Sequence, residues 1–326
     1  MIISVASGKG GTGKTTVAVN LAFSISNSVS NSMPNSMPNS GISSISSSSP
    51  LPCTDSIPKF TPGPGTSTLQ LLDCDVEEPN CHIFVKPDIQ WTESVGIPVP
   101  SIDESKCTAC GECGRICQYH AIVSLKARAL VFPELCHGCG GCAMVCPTGA
   151  IKEVKAEIGI IEGGVRGQVK FIQGRLKIGQ AMSPPLIRAV KRYAAAEGGL
   201  TIIDCPPGTS CPVITAIKGS DYVLLVTEPT PFGLHDLTLA VGTVRQLKIP
   251  FGVIINRADT GNSQVMDYCR RECIPVLMQI PDDRRIAEVY SAGQMVTDVF
   301  PHLRKDFEKL YNDIIIHKIQ NPKFRS

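Results

Sequence analysis

Short apolar runs that end in polar or acidic residues punctuate this chain. Ile2-Ile3-Ser4-Val5-Ala6 opens it and leads at once into a glycine-rich segment, Gly8 to Thr16. Leu69-Gln70-Leu71-Leu72-Asp73 and Leu200-Thr201-Ile202-Ile203-Asp204 each end in aspartate. Tyr222–Val226, Phe251–Ile255 and Val276–Met278 have the same texture. Runs of this length without polar alternation predict strands buried on both faces. Helical periodicity falls between them: a helix starting over Val17–Phe23, another over Pro184–Ala196, and an amphipathic one from Phe307 to Ile319. Strands alternating with helices predict a mostly parallel, doubly wound α/β sheet. Residues 156–180 alternate around glycines and read as hairpins returning to that sheet.

Two segments break the pattern. Residues 24 to about 66 are dominated by Ser, Asn, Pro and Gly, with Asn31-Ser32-Met33-Pro34 repeated at once as Asn35-Ser36-Met37-Pro38. Such a tract buries too little apolar surface to offset its ordering entropy, and is expected to be a disordered surface insert. The second segment, about 98–152, holds eight cysteines. Cys107, Cys110, Cys113 and Cys117 are spaced C-x2-C-x2-C-x3-C; Cys136, Cys139, Cys142 and Cys146 repeat the spacing, and Pro147 follows. That is the run of bacterial two-cluster ferredoxins, in which the fourth cysteine of each run serves the other cluster. It assigns one [4Fe-4S] cluster to Cys107, Cys110, Cys113 and Cys146, and a second to Cys136, Cys139, Cys142 and Cys117. Zinc also uses C-x2-C pairs, but the third cysteine of each triplet would be surplus. Gln118 stands where the first run usually has proline, a turn position and not a ligand.

The expected organisation is a first α/β part over 1–97, the ferredoxin-like insert over 98–152 and a second α/β part over 153–326. Composition narrows the setting. In 326 residues the net charge is +2 and 5% are aromatic, so no electrostatic or stacking footprint for nucleic acid is expected. Cysteines arranged for metal point to a reducing cytoplasm. With a strand at the N-terminus, no leader is expected. No apolar run approaches the roughly 18 residues of a membrane span.

The glycine-rich segment carries the chemistry. Gly8-Lys9-Gly10-Gly11-Thr12-Gly13-Lys14-Thr15 fits G-x4-G-K-[ST] between a strand and a helix. Gly10, Gly11 and Gly13 let backbone amides approach phosphates at a helix N-terminus. Lys14 is expected on the β- and γ-phosphates and Thr15 on Mg²⁺.

The longer form, K-G-G-x-G-K-T-T from Lys9 to Thr16, resembles the deviant P-loop of the MinD/Mrp ATPases, and the whole chain outside the serine-rich tract is similar to members that carry an inserted ferredoxin domain. The resemblance implies Mg-ATP binding over Gly8–Thr16, hydrolysis, and an ATP-dependent homodimer in which Lys9 reaches the partner's nucleotide. Asp73-Cys74-Asp75-Val76-Glu77-Glu78-Pro79-Asn80 resembles switch I, with Asp73 near Mg²⁺ and Asp75 orienting the attacking water. Asp204-Cys205-Pro206-Pro207-Gly208 resembles switch II, with Asp204 in the Mg²⁺ shell and the Gly208 amide offered to the γ-phosphate. Asn256 and the Pro281-Asp282 loop fall on the adenine side. Catalytic roles are thus expected for Lys9, Lys14 and Asp75.

The insert lies between the two switches in sequence. ATP-gated electron transfer to an unidentified redox or iron–sulfur partner is the leading functional expectation. An iron–sulfur assembly or transfer factor is the first alternative, against which counts the absence of the C-terminal C-x-x-C of Mrp-type scaffolds. A MinD-like positioning or regulatory switch with redox-sensing clusters is the second. Cys211 is expected to be a buried structural thiol, Cys269 and Cys273 ordinary helical cysteines, and Cys53, Cys74, Cys81 and Cys205 to carry no chemistry.

Overall fold

The computed structural model describes residues 1–31, 69–125, 128–194 and 199–320. Most of the serine-rich tract, with Cys53, lies outside the described residues. Its first part does not: the first helix runs Lys14–Asn31 and so continues through residues 24–31. Ser24 and Ile25 are buried there, which the polar composition had hidden.

Among the described residues eleven strands are formed: β1 (Ile2–Ala6), β2 (Leu69–Asp73), β3 (Asp88–Ile102), β4 (Ile122–Ser124), β5 (Ala129–Val131), β6 (Ile151–Arg166), β7 (Val169–Leu176), β8 (Leu200–Asp204), β9 (Tyr222–Thr227), β10 (Phe251–Asn256) and β11 (Val276–Ile280). Nine form one sheet in the order β11-β10-β9-β1-β8-β2-β7-β6-β3; β4 and β5 pair separately. From β11 to β7 every pairing is parallel. β6 is antiparallel to both β7 and β3.

The two-residue period of a strand sends alternate side chains to opposite faces. Ile3, Leu71, Ile202 and Leu224 enter one core, with Val17, Leu21 and the C-terminal helix residues Phe307, Leu310 and Ile314. Leu72, Ile203, Val223 and Leu225 enter the other, under the helices Pro184–Lys191, Pro231–Gln246 and Gln264–Arg271. The sheet is therefore covered on both faces. The C-terminal helix, Pro301–Gln320, closes the first core. Among the described residues no helix is long and apolar enough to cross a membrane.

β3 and β6 form a long antiparallel arm, paired from Asp88↔Val165 to Ile102↔Ile151. All eight clustered cysteines lie between its two far ends. The arm escapes a simple reading of the sequence because β3 carries Pro98 and Pro100. Proline is tolerated where the strand lies at a sheet edge, as β3 does.

Candidate functional site

In an open α/β sheet, ligands bind at the carboxyl ends of the strands. β1 ends there in the glycine-rich loop, and the helix begins at Lys14, inside the loop motif and three residues before the expected Val17. Gly13 has φ +94°, and a Cβ on it would sit 2.6 Å from the Asn256 side-chain nitrogen. Asn256 closes that contact productively: its Nδ2 donates to the Thr12 carbonyl at 3.0 Å, tying the end of β10 to the loop. Gly8 is needed for a different reason, since a Cβ on it would collide with the Asp236 backbone of the helix Pro231–Gln246.

β2 and β8 are in register at Asp73↔Asp204. Both aspartates are fully buried and point to the face covered by the Lys14–Asn31 helix. Thr15 Oγ1 donates to Asp204 Oδ2 at 2.6 Å. Asp73 accepts the amides of Asp75, Asn80 and Cys81 at 3.0–3.1 Å, which folds the loop after β2 over the site. Burial, and then the neighbouring Asp204 charge, holds the Asp73 carboxyl well above its ordinary range. Burial raises Asp204 as well. Asp75 is pushed up to about 7, first by burial and then by Asp204.

A cavity of about 350 Å³ opens above these residues. Gly10, Gly11, Gly13, Lys14, Thr15, Thr16, Asp75, Asn256, Pro281 and Asp282 line it, joined by Arg257, Ile286 and Tyr290. Gly8, Lys9, Thr12, Asp73, Asp204 and Gly208 do not line it. Asp73 and Asp204 lie behind the lining, bonded to the Asp75 amide and the Thr15 hydroxyl respectively. Gly208 donates its amide to the Ser7 carbonyl at 3.0 Å, so that amide is engaged within the chain here. Lys9 Nζ lies 3.6 Å from Glu228 Oε2, Glu228 Oε1 lies 3.4 Å from Arg257, and Arg257 lies 3.5 Å from Asp282. Sequence reasoning gives Glu228 and Arg257 no role and expects Cys81 to carry no chemistry. Lys9, Glu228, Arg257 and Asp282 are far apart in sequence, and no spacing rule joins them.

The residues fit a nucleotide and its cation. Asp204 Oδ1 and Thr12 Oγ1 are buried and have no hydrogen-bond partner among the described residues. Three carboxylates converge where their charge is disfavoured without a cation.

The cysteine segment forms two small voids. Cys107, Cys110, Cys113 and Cys146 line one. Cys117, Cys136, Cys139 and Cys142 line the other, which is walled in part by Pro98 and Pro100 of β3 and Glu153 of β6. Each void thus gathers three closely spaced thiols and one from the distant run, the donor set a four-iron cluster requires. All described cysteines are free thiols.

The remaining cysteines differ from expectation in two places. Cys211 is exposed, at the start of the helix Cys211–Ile217. Cys273 lies beyond the helix Gln264–Arg271, exposed and with φ +54°, while Cys269 is helical and buried.

The 4Fe-4S binding domain matches the chain twice, over residues 100–123 and 129–152. The uncharacterized protein MJ0578 of Methanocaldococcus jannaschii is 31% identical over 245 residues, 74% of this chain and 84% of that protein. The chain belongs to the same family. A second member from that organism, the uncharacterized protein MJ0579, is 27% identical over 317 residues, 97% of this chain and 98% of its own length. Among solved structures, the septum site-determining protein MinD of Pyrococcus horikoshii OT3, complexed with Mg-ADP, superposes with a TM-score of 0.53 at 17% identity, covering 96% of this chain and 95% of that one. The family fold is therefore that of the MinD-type P-loop ATPases, with a 4Fe-4S binding domain set into it.

Proposed function

We propose that this chain is a Mg-ATP-hydrolysing, dimerising protein whose nucleotide state controls electron transfer through two [4Fe-4S] clusters. One contact carries the reading: the Leu176 amide, at the end of β7, donates to the Val76 carbonyl at 2.8 Å. Val76 follows Asp75 in the loop over the nucleotide cavity, and β7 is the strand against which the cluster-bearing arm is hydrogen-bonded. Any displacement of the Asp75 loop is thereby passed to the root of the arm.

The roles of the residues follow from the site. The amides of Gly10–Thr16 and the Lys14 ammonium are suited to cradle phosphates. Thr15 and Asp204, with Asp73 behind them, would hold Mg²⁺, which supplies charge neutralisation at the phosphates when bound. Asp75, at the cavity wall, would orient the attacking water. Arg257, Pro281 and Asp282 enclose the base end. Lys9 would serve the partner's site after leaving Glu228. Cys107, Cys110, Cys113 and Cys146 would hold one cluster, and Cys117, Cys136, Cys139 and Cys142 the other; the clusters supply one-electron carriers.

Order changes in such loops are a common way to signal nucleotide state. By linkage, ATP must then bind the oxidised and reduced protein differently, and the reduction potential shifts reciprocally. Tenfold differential binding corresponds to about 59 mV for a one-electron couple. Anaerobic redox titration followed by EPR, with and without ATP in the Asp75→Asn form, is expected to show a shift of roughly that order, since couplings are typically about 1–3 kcal/mol. Identical potentials would remove thermodynamic gating and favour the cluster-assembly alternative.

A further inference from the structure

Cys81 opens the short helix Cys81–Val85 directly after the Asp75 loop and is fully buried. Its backbone amide donates to Asp73 Oδ2 at 3.0 Å, which fixes where its side chain starts. Its Sγ donates to Asp204 Oδ2 at 3.4 Å. One ligand atom each from Asp73, Cys81 and Asp204 lie within 4.8 Å of one another. A second observation marks the same place. Asp204 is fully buried, yet its Oδ1 has no hydrogen-bond partner among the described residues. A buried carboxylate oxygen left unsatisfied is costly, and a cation is the partner that removes the cost.

We propose that Cys81 becomes a ligand of the divalent-cation site when a thiophilic ion enters it, and that its sulfur shifts the preference of this site toward such ions. The inference rests on reading the cavity as a nucleotide–metal site in which Asp73 and Asp204 hold the cation. Mg²⁺ takes oxygen donors in octahedral geometry and keeps its waters. A set of oxygens alone therefore favours it. Thiolate selects softer ions of the Zn²⁺ class. In this chain the two kinds of donor stand side by side. Loading a thiophilic ion exchanges one bond for another: the Cys81 S–H bond breaks, a sulfur–metal bond forms, and the proton leaves to solvent with no electron moved. Mg²⁺ leaves the S–H intact and donating to Asp204.

The test uses the full chain with its clusters loaded, under anaerobic conditions, and Cd²⁺ as the thiophilic probe. ADP binding is measured by calorimetry with Mg²⁺ and with Cd²⁺, for wild type, Cys81→Ala and Cys81→Ser, with iron content checked afterwards. In wild type the preference for Cd²⁺ over Mg²⁺ is expected to exceed that of either variant by about tenfold or more. About one extra proton should be released per Cd²⁺ in wild type alone, measured from the dependence of heat on buffer. Cys81→Ser keeps the size and a hydrogen-bond donor, so it carries the comparison if the alanine form is unstable. Equal ion preferences in wild type and Cys81→Ser, with ADP bound in both, overturn the thiol ligand and leave the nucleotide reading standing. A wild-type chain that binds no ADP with either ion overturns the nucleotide reading, and the thiol ligand with it.

Discussion

Lys9 Nζ sits 3.6 Å from Glu228 Oε2 of its own chain. The carboxylate is largely buried and also faces Arg257, which lines the nucleotide cavity. In the proposed dimer, Lys9 would have to leave this intramolecular ion pair to reach the partner's nucleotide. Partly exposed pairs contribute about 0–1 kcal/mol. Glu228→Gln is therefore expected to strengthen ATP-dependent dimerisation by up to about fivefold per protomer, or roughly 25-fold for the two pairs of a dimer, and Lys9→Ala to abolish it. Sedimentation of the Asp75→Asn background with and without ATP reads both. A dimer that persists in Lys9→Ala would remove Lys9 from the interface.

Gly13→Ala tests the loop geometry. The new Cβ would meet Asn256 Nδ2 at 2.6 Å at a backbone φ of +94°. Either cost disturbs the Asn256–Thr12 contact that holds the loop. Nucleotide affinity should fall by about fivefold or more, since strain of this kind costs about 1–3 kcal/mol. Fluorescent-nucleotide titration measures it, and near-wild-type binding would mean that the loop is not the phosphate cradle.

Stability without nucleotide or divalent cation should fall as pH rises from about 4 to about 7. Asp75 keeps its proton to about pH 7 in the folded chain, while an unfolded aspartate releases it near pH 4. Between those values the unfolded state alone ionises and is favoured. Asp73 and Asp204 act in the same direction. Asp75→Asn removes its own share, so the variant should be more stable than wild type at pH 8 by about 1–4 kcal/mol, with the gap closing toward pH 4. Denaturant midpoints at pH 5 and pH 8 decide it; an equal gap at both would show that Asp75 is ionised throughout.

Paired cysteine variants distinguish crossed from uncrossed ligation. The wild-type chain should hold about eight irons. With the thiols grouped as the two voids group them, Cys107→Ala/Cys146→Ala damages a single cluster and keeps about four irons. Cys107→Ala/Cys117→Ala damages both and keeps almost none. The reverse pattern in anaerobic iron analysis would mean that each run holds its own cluster.

Much of the sheet could be read from residues. The strands β1, β2 and β8 to β11 are short apolar runs because the sheet is covered on both faces. The loop motif was equally plain, because phosphate binding demands glycines and Lys-Thr at fixed offsets. The arm was not, because β3 is exposed along much of its length and carries two prolines, so neither propensity nor alternation marks it. Helix boundaries shifted where tertiary packing overrode composition, as at Ser24 and Ile25. Within the site, Asp73 and Asp204 stood out as acids ending apolar runs. Cys81 did not, because its significance depends wholly on the fold bringing it 3.4 Å from a residue 123 positions away.

The arm has one mechanical consequence. β7 stops at Leu176, paired with Gly159, so among the described residues Ile151–Glu157 of β6 have β3 as their only strand partner. Seven residues at strand rise carry the ribbon about 24 Å beyond the end of β7. It is a lever with its fulcrum beside the Asp75 loop; one cysteine void lies along it, against Pro98, Pro100 and Glu153, and the other at its far end, against Ile102 and Ile151. A tilt of roughly 10° at the fulcrum would swing the tip by about 4 Å over that length. Nucleotide turnover could then re-aim the clusters toward a docked protein without touching their ligands, so the chemistry of the iron could stay constant while its address changes.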